Sequence, residues 1–112
     1  MKDCIFCQIV KGDVPSERVA ESDHCIAFHD VSAQAPVHVL VVPKKHYQSM
    51  NDMPDGSVVG AMAMLAKQVA KELGIAEPGY RAVINTGDHG GQTVHHIHMH
   101  ILGGRAFKWP PG

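Results

Sequence analysis

The sequence predicts an α+β fold in which helices pack on one antiparallel sheet, and two observations lead to this prediction. Strand-like and helix-like stretches occur in blocks, in the order short helix, three strands, long helix and two strands. The chain has 112 residues, of which 45% are apolar, and this suffices for one domain with a small core. We therefore expect a single domain over residues 1–112, with five strands, one long helix and a short N-terminal helix.

The first block is the short helix with three strands after it. Asp3 is a candidate N-cap for a helix that continues to about Val10, and Gly12 and Pro15 end it. The expected strands cover residues 17–21, 24–30 and 37–42. The third is β-branched and almost continuously apolar, which is typical of a strand buried on both faces. Cys25 in the second strand is expected to lie in the core.

A long helix is predicted from about residue 54 to Leu73, because apolar residues recur there every three or four positions. Its apolar face consists of Val58, Met62, Leu65, Val69 and Leu73. Gly74 is a suitable residue to end it. Met62 and Met64 are interpreted as core or interface residues rather than as a cofactor site.

The last block contains a strand at residues 80–85 and a second at residues 94–102 in which three histidines alternate. Because successive side chains of a strand point to opposite faces, His96, His98 and His100 should share one face with Val94 and Leu102. The residues between them are expected to lie on the opposite face and to pack on the core: His95, Ile97, Met99 and Ile101. Glycines on both sides of this strand indicate a loop or ligand close to the backbone: Gly87, Gly90, Gly91, Gly103 and Gly104.

Charge and composition exclude several classes of partner. The formal net charge is −1, which argues against a nucleic-acid or membrane-surface partner. The first ten residues have too short an apolar run for a signal peptide or a membrane span, so a cytoplasmic location is expected. The three cysteines are then interpreted as thiols or metal ligands. Nine histidines are the unusual feature.

Two kinds of chemistry are compatible with the alternating histidines. In one, they bind a catalytic metal, although three ligands on one straight strand lie too far apart and His38 or His46 would have to contribute. In the other, one histidine attacks phosphorus while others handle protons and charge. The preceding glycine-rich stretch, residues 87–93, ends in a threonine hydroxyl and favours the second, because glycine backbone can bind an anionic oxygen.

Residues 96–102, HIHMHIL, resemble the signature of the histidine triad (HIT) superfamily, three histidines alternating with apolar residues. The chain is similar in particular to the Hint branch, the purine nucleoside phosphoramidate hydrolases, over residues 28–30, 35–38, 43–46, 90–92, 102–105 and 109–112. The tail and the Gly103-Gly104-Arg105 segment differ from the Fhit branch of dinucleoside polyphosphate hydrolases. Ile97 stands where the uridylyltransferase branch has proline.

The resemblance implies a HIT-like fold whose five-stranded sheet extends across a homodimer. The C-terminal tail, residues 105–112, would then dock near the partner subunit's site. The implied ligand is a purine nucleoside 5′-monophosphate, and the implied substrate carries an amine on its phosphorus, as a phosphoramidate does, or a similar leaving group, as an aminoacyl-adenylate does. His98 matches the family nucleophile, which forms a covalent nucleotidyl-histidine that water then hydrolyses.

The resemblance also implies roles for individual residues. His100 and Thr93 match positions near the phosphate or leaving group, and His38 matches a histidine beside the nucleophile. His96 completes the catalytic set. The implied substrate-binding residues are Val14, Phe28, His29, Asp30, Val31, Leu40, Asn85, Gly91, Gln92, Thr93, Val94, His98, His100 and Trp109. Asp30 would hold the ribose hydroxyls and Trp109 would reach the other subunit's site.

Two positions depart from the family pattern. Thr93 stands where serine is common, and its extra methyl group can crowd the leaving group. His95 stands where an aromatic residue is common, and because it faces away from the other histidines it is interpreted as structural.

A second implied site is a structural zinc bound by Cys4, Cys7, His46 and His96, because several members of the superfamily use these positions. No cofactor is needed for the chemistry. The alternative is a short helix that buries Cys4 and leaves Cys7 as a plain thiol. Within the resemblance, two alternatives stay open: a nucleotide-binding or scaffolding module with incidental hydrolysis, and a Fhit-like dinucleoside polyphosphate hydrolase. The residues alone leave a third, a histidine-ligated metalloenzyme that a chelator would inactivate.

Overall fold

The computed structural model describes residues 3–112. Its regular elements are, in chain order, α1 (Ile5–Lys11), β1 (Arg18–Glu21), β2 (Cys25–His29), β3 (Val37–Pro43), a 3₁₀ turn (Met50–Asp52), α2 (Ser57–Glu72), β4 (Arg81–Ile84), α3 (Gly87–Gly90) and β5 (Met99–Gly103). Met1 and Lys2, part of the expected domain, lie outside the described residues. The predicted α+β class and the predicted order of elements are confirmed, with the one-turn helix α3 added inside the glycine-rich stretch.

The five strands form one antiparallel sheet in the order β1-β2-β3-β5-β4. β3 is central, since it pairs with β2 on one side and β5 on the other, and Leu40 lies opposite both Phe28 and His100. All residues of β3 after Val37 are buried, as its β-branched sequence predicts. β4 is an edge strand, paired with β5 alone.

Each face of the sheet has its own apolar cluster. The long helix α2 covers one face through Met62, Leu65 and Val69, which are buried against alternate residues of the strands. Cys25 is among those residues and is fully buried, as predicted. Met62 is in the core, whereas Met64 is 64% exposed. Within residues 3–112, no helix is both long and apolar enough to cross a lipid bilayer.

The short helix α1 covers part of the opposite face. Its residues Phe6 and Ile9 are buried together with Phe28 and Leu40 of the sheet. The predicted N-cap was wrong by one residue, because the Cys4 side chain accepts from the Cys7 backbone N–H and Asp3 precedes the cap. The strands β2 and β3 thus present one set of side chains to α2 and the alternate set to α1.

The predicted straight strand over residues 94–102 was wrong in its first half. The chain bends at residues 94–96 and β5 begins only at Met99. The Ile97 N–H donates to the carbonyl of Tyr47 (2.8 Å), a hydrogen bond to a loop and not to a strand. Ile97, Met99 and Ile101 do pack on the core, but His95 is exposed to solvent. The bend separates His96 from His98 and His100.

Gly103 at the end of β5 and Gly104 after it are explained by close packing against other segments of the chain. A Cβ on Gly103 would lie 2.8 Å from the Ile75 side chain, and one on Gly104 would lie 2.8 Å from Pro36. Gly104 also has a φ of +88°, which strains any other residue. The following tail has no regular structure, and Trp109 is 82% exposed, so it does not dock on the core of its own chain.

Candidate active site

A cavity of about 740 Å³ opens on the α1 face of the sheet, beside the ends of β2 and β5. Its walls are largely apolar, from residues such as Phe6, Phe28 and Leu40, and its polar end carries Asp30, His98 and His100. A cavity of this size and composition can hold a small organic ligand with a few oriented polar groups.

His98 directs an unprotonated nitrogen into this cavity. Its Nδ1 lies 2.8 Å from the carbonyl oxygen of His96, and because a carbonyl only accepts, Nδ1 carries the proton. In the neutral ring, Nε2 therefore keeps its lone pair. The ring of Phe6 lies against the imidazole with the two centroids 5.0 Å apart. His98 is 5% exposed and has one orientation fixed from both sides.

His38 and His100 form a second defined arrangement. The backbone N–H of Gln34 donates to Nδ1 of His38 (2.9 Å), so the proton of the neutral His38 ring is on Nε2. Nε2 of His38 lies 2.9 Å from Nδ1 of His100, which must accept. The proton of His100 is then on its Nε2. Together with Asp30, these residues form what we call the imidazole relay (Asp30, His38 and His100).

The Asp30 carboxylate is held at the same end of the cavity. Its Oδ1 accepts from the Ser32 backbone N–H (2.8 Å), and its Oδ2 lies 3.3 Å from Nε2 of His38. The donor atoms of the imidazole relay lie within 4.8 Å of one another, a spacing that a metal ion could also use. The Gln34 hydrogen bond opposes this use, because it leaves a proton on the His38 nitrogen that would have to bind the metal.

Burial keeps the site histidines neutral at physiological pH. Desolvation by burial lowers the pKa of His100 to about 4, and the neighbouring His98 and His38 contribute in the same direction. Burial also lowers the pKa of His98 and of His38, although the Asp30 carboxylate opposes the effect in both. The site therefore offers neutral imidazoles, one with a free lone pair (His98) and one with a free N–H (His100).

The structure brings together many of the residues that the sequence predicted for substrate binding. Those that line the cavity are Phe28, His29, Asp30, Val31, Leu40, Thr93, Val94, His98 and His100. His38 lies directly behind His100 and is 4% exposed.

Other predicted residues lie elsewhere in the chain. Val14 packs beside the α1 cluster, and Asn85 borders a different cavity, which the C-terminal tail also lines. Gly91 is exposed beyond α3. The Gln92 amide is committed to its own loop, since it donates to the carbonyls of Gln48 and Val94 and accepts from Gly87. Trp109 points into solvent.

Sequence reasoning missed the contribution of α1 and of the segment after it. The additional residues that line the cavity are Ile5, Phe6, Ile9, Pro15, Ser16, Glu17 and Ser32. The sequence carries one signal for Phe6, an aromatic residue between two cysteines on a short helix. It does not reveal that the helix docks against His98, which is 92 positions away.

A second group of side chains lies beyond His98, on the far side of Phe6. We call it the thiol–imidazole cluster (Cys4, Cys7, His46 and His96), and its four donor atoms all lie within 4.8 Å of one another. Nδ1 of His96 lies 3.2 Å from Sγ of Cys4 and 3.2 Å from Nδ1 of His46, while Sγ of Cys7 lies 3.4 Å from Nδ1 of His46.

The hydrogen bond on the other side of His96 decides what this cluster can bind. Its Nε2 lies 2.8 Å from the carbonyl oxygen of Pro43, so Nε2 carries the proton and the Nδ1 lone pair points at the two sulfurs. Burial lowers the pKa of His96 to about 4 and raises the pKa of the Cys7 thiol. Two sulfurs and two imidazoles with an outer-shell carbonyl fit a tetrahedral zinc ion whose four positions are all filled by protein.

Comparisons with known proteins show the family to which the chain belongs. The family model described as the HIT domain matches residues 11–107. A HIT-like protein of Synechocystis sp. is 48% identical over 113 residues, 99% of this chain and 98% of that protein. The purine nucleoside phosphoramidase of Escherichia coli is 43% identical over 106 residues, 93% of this chain and 89% of that enzyme.

Solved structures are similar over nearly the whole chain. A HIT family hydrolase of Legionella pneumophila has a TM-score of 0.94 at 45% identity, covering 98% of this chain and 100% of that one. A zinc-bound histidine triad family protein of Mycobacterium smegmatis has a TM-score of 0.83 at 32% identity, covering 99% of this chain and 85% of that one. The overall fold of this chain is therefore shared with these proteins.

Proposed function

The chain belongs to the HIT family, whose characterised relative above is a nucleotide hydrolase, and from this premise we propose that it hydrolyses purine nucleoside 5′-phosphoramidates through a covalent nucleotidyl-histidine on His98. The observation that carries the proposal is the unprotonated Nε2 of His98 facing a cavity of about 740 Å³. Among the substrates with a similar leaving group we include aminoacyl-adenylates.

The proposed reaction has two balanced steps. In the first, the Nε2 lone pair of His98 forms a bond to the α-phosphorus, and the phosphorus–nitrogen bond to the amine breaks as the amine takes a proton. In the second, water attacks the same phosphorus and gives up a proton, which replaces the one that the amine took; the bond to His98 breaks, its Nε2 lone pair is restored, and the nucleoside monophosphate leaves. The sum is one water consumed, with one amine and one monophosphate released.

The surrounding residues supply orientation and charge stabilisation. The Nε2–H of His100 donates to a phosphate oxygen, and it is aimed there because Nδ1 is occupied by His38. Thr93 lies at the cavity edge near the leaving group. Apolar contacts from Phe28, Leu40 and Val94 take the purine, and Asp30 takes the ribose hydroxyls.

The thiol–imidazole cluster has a separate role in this proposal. Bound there, zinc would tie α1 to the histidine segment, and its closed set of four ligands leaves no position for a substrate. The zinc-bound relative supports this assignment. The step chemistry uses no cofactor, which agrees with the family.

The proposal also includes the assembly and location of the protein. The free edge of β4 can pair with a second copy and extend the sheet, and the exposed Trp109 in the tail 105–112 can then reach the partner subunit's site. Residues 1–112 act as one domain. Three buried free thiols are compatible with the reducing cytoplasm.

The test is turnover of adenosine 5′-phosphoramidate by the wild type and by His98→Ala, with metal content measured on the same samples. We expect activity to fall by about four orders of magnitude, while metal content and circular dichroism stay as in the wild type. His95→Gln is the matched control, since His95 is exposed in the same segment and its loss should leave turnover intact.

Two results would contradict the proposal. Activity that survives His98→Ala, or that tracks metal content, would move the chemistry to a metal-bound water. Tight nucleotide binding with negligible turnover of every phosphoramidate would identify a binding module instead.

A further inference from the structure

Asp30 has a contact that ribose binding does not require. Its Oδ2 lies 3.3 Å from Nε2 of His38, the same nitrogen that lies 2.9 Å from Nδ1 of His100. The neutral His38 ring has a single proton there, because its other nitrogen accepts from the Gln34 backbone N–H. Two acceptors therefore face one proton: the His100 nitrogen at hydrogen-bonding distance, and the Asp30 carboxylate at the longer distance of an ion pair.

We propose that Asp30 is a positioning residue that makes turnover depend on the ribose hydroxyls. When those hydroxyls bind Asp30, the His38 N–H donates its hydrogen bond fully to His100. The inference deepens the proposed function and rests on it. With no hydroxyl present, the negative carboxylate shares the proton of His38 and weakens its hydrogen bond to His100. When ribose hydroxyls donate to Asp30, the carboxylate accepts their hydrogen bonds and attracts the His38 proton less. His38 then donates to His100 alone.

Hydrogen bonds of the surrounding loop hold the Asp30 carboxylate next to the His38 N–H. The Asp30 N–H donates to the His38 carbonyl (2.9 Å), and Oδ1 of Asp30 accepts from the Ser32 N–H (2.8 Å). The Gln34 N–H reaches back to His38 in the same loop. The backbone bond holds the two residues together and the Ser32 N–H orients the carboxylate, so Oδ2 lies beside the His38 proton without any ligand in the cavity.

The consequence concerns the orientation of His100 and not only affinity. His100 presents Nε2–H to the phosphate only while Nδ1 has a donor. A substrate whose hydroxyls bind Asp30 strengthens the hydrogen bond from His38 to His100. Part of the ribose binding energy therefore stabilises the transition state and not only the bound substrate. Nucleosides that lack the hydroxyls should then lose kcat, whereas a simple ribose contact would change KM alone.

The experiment compares two substrates, the 5′-phosphoramidates of adenosine and of 2′,3′-dideoxyadenosine, in wild type, Asp30→Asn, His38→Gln and the double variant. In the wild type we expect kcat to be about threefold to tenfold lower for the dideoxy substrate. Asp30→Asn removes the charge but keeps the shape. It should bring the ratio of the two kcat values close to one and raise kcat for the dideoxy substrate above the wild-type value.

The other variants complete the cycle. His38→Gln should also abolish the dependence of kcat on the hydroxyls, at a lower rate for both substrates, and the double variant should match His38→Gln. Glu17→Gln is the control for charge, because Glu17 lines the same cavity from the segment before β1, and it should keep the wild-type ratio.

The outcomes separate this inference from the function it rests on. If the wild type hydrolyses both substrates with equal kcat and differs only in KM, Asp30 is a ribose contact alone and the inference is overturned. The same conclusion follows if Asp30→Asn lowers kcat for the dideoxy substrate. If the wild type hydrolyses neither phosphoramidate, or does so without His98, the proposed function has failed first.

Discussion

Two groups of histidines lie side by side on the α1 face of the sheet, and they differ in where their protons are. In the thiol–imidazole cluster, His96 donates outward to the Pro43 carbonyl, so lone pairs converge on the centre. In the imidazole relay, the close pair of nitrogens on His38 and His100 has a proton between them. The two groups therefore differ in hydrogen-bond direction, which neighbouring backbone sets in each of them.

The two groups meet at His96 and His98. The side chain of His96 belongs to the cluster, and its carbonyl oxygen accepts from Nδ1 of His98. Phe6, between the two cysteines of α1, contacts the rings of both histidines. Experiments on either group can therefore test whether the cluster serves stability through zinc while the relay serves catalysis.

The largest effect is expected on thermal stability when zinc is added to, or removed from, the thiol–imidazole cluster. A ligand at about a thousand times its dissociation constant stabilises the folded state by about 4 kcal/mol, which for a chain of this size raises Tm by about 10 °C or more. Zinc should raise the Tm of the metal-free wild type by this amount, and a chelator should reverse it, in differential scanning calorimetry.

Cys7→Ala should lose this response, whereas Cys25→Ala should keep it, because Cys25 is a buried thiol in the other core. Phosphoramidate turnover by the folded protein should change by less than about tenfold on metal removal, since a closed site offers no catalytic position. Activity that vanishes in proportion to metal loss would erase the distinction between the two groups.

The next largest effect is expected for catalysis when the relay loses its free donor. His100→Gln removes the Nε2–H aimed at the phosphate and should lower kcat by about a hundredfold, the usual cost of one donor to a developing oxyanion. Zinc content should stay at the wild-type value, measured by metal analysis of the same preparation. His95→Gln controls for the loss of a histidine, and a fall in zinc content with His100→Gln would show that the groups are not separate.

The smallest effect is expected from pH. The pKa of His100 is about 4 in the folded protein and near 6.5 when unfolded, so the unfolded chain binds more protons between these values. The contribution of His100 to the free energy of unfolding should therefore be fully present above about pH 6.5 and decrease as the pH falls towards 4. For His100 alone the loss is roughly 2 kcal/mol once its partial exposure is allowed for.

His100 faces His38, His98 and Asp30, and burial lowers the pKa of both histidines as well, which adds to the same trend. Urea denaturation at pH 7 and pH 4.5 measures the loss. His100→Gln should show a smaller difference between the two pH values than His95→Gln does. Equal differences would mean that His100 does not contribute to the pH dependence.

Element types were largely predictable because periodicity reports burial directly. The apolar face of α2 and the continuous apolar run of β3 each match the structure within a few residues. The boundaries that failed are those set by contacts with distant residues. Cys4 replaces Asp3 as N-cap, and β5 starts at Met99 because Ile97 pairs with a loop carbonyl.

The residues of the candidate site likewise fall into those that the sequence predicted and those that it did not. His98, His100 and Asp30 were predictable from motif and resemblance, and they do meet at one cavity. Phe6 and Glu17 could not be assigned to it, since nothing local indicates that α1 and the segment after it close over the strands. Asn85 and Trp109 do not line the cavity within a single chain, because Asn85 borders the cavity beside the tail and Trp109 is exposed to solvent.

By itself, the sequence determined the type and order of the main helices and strands, which follow from side-chain periodicity, a local property of the chain. Its histidine motif indicated the family by resemblance, and its residue types fixed the histidines and cysteines available for chemistry. Only the tertiary structure decided which histidine serves which group. The bend at residues 94–96 turns His96 to the thiols and leaves His98 and His100 at the cavity, and the carbonyls of Pro43 and His96 with the N–H of Gln34 place each proton. Those partners are distant in sequence or hidden in the backbone, so only folding brings them to the rings.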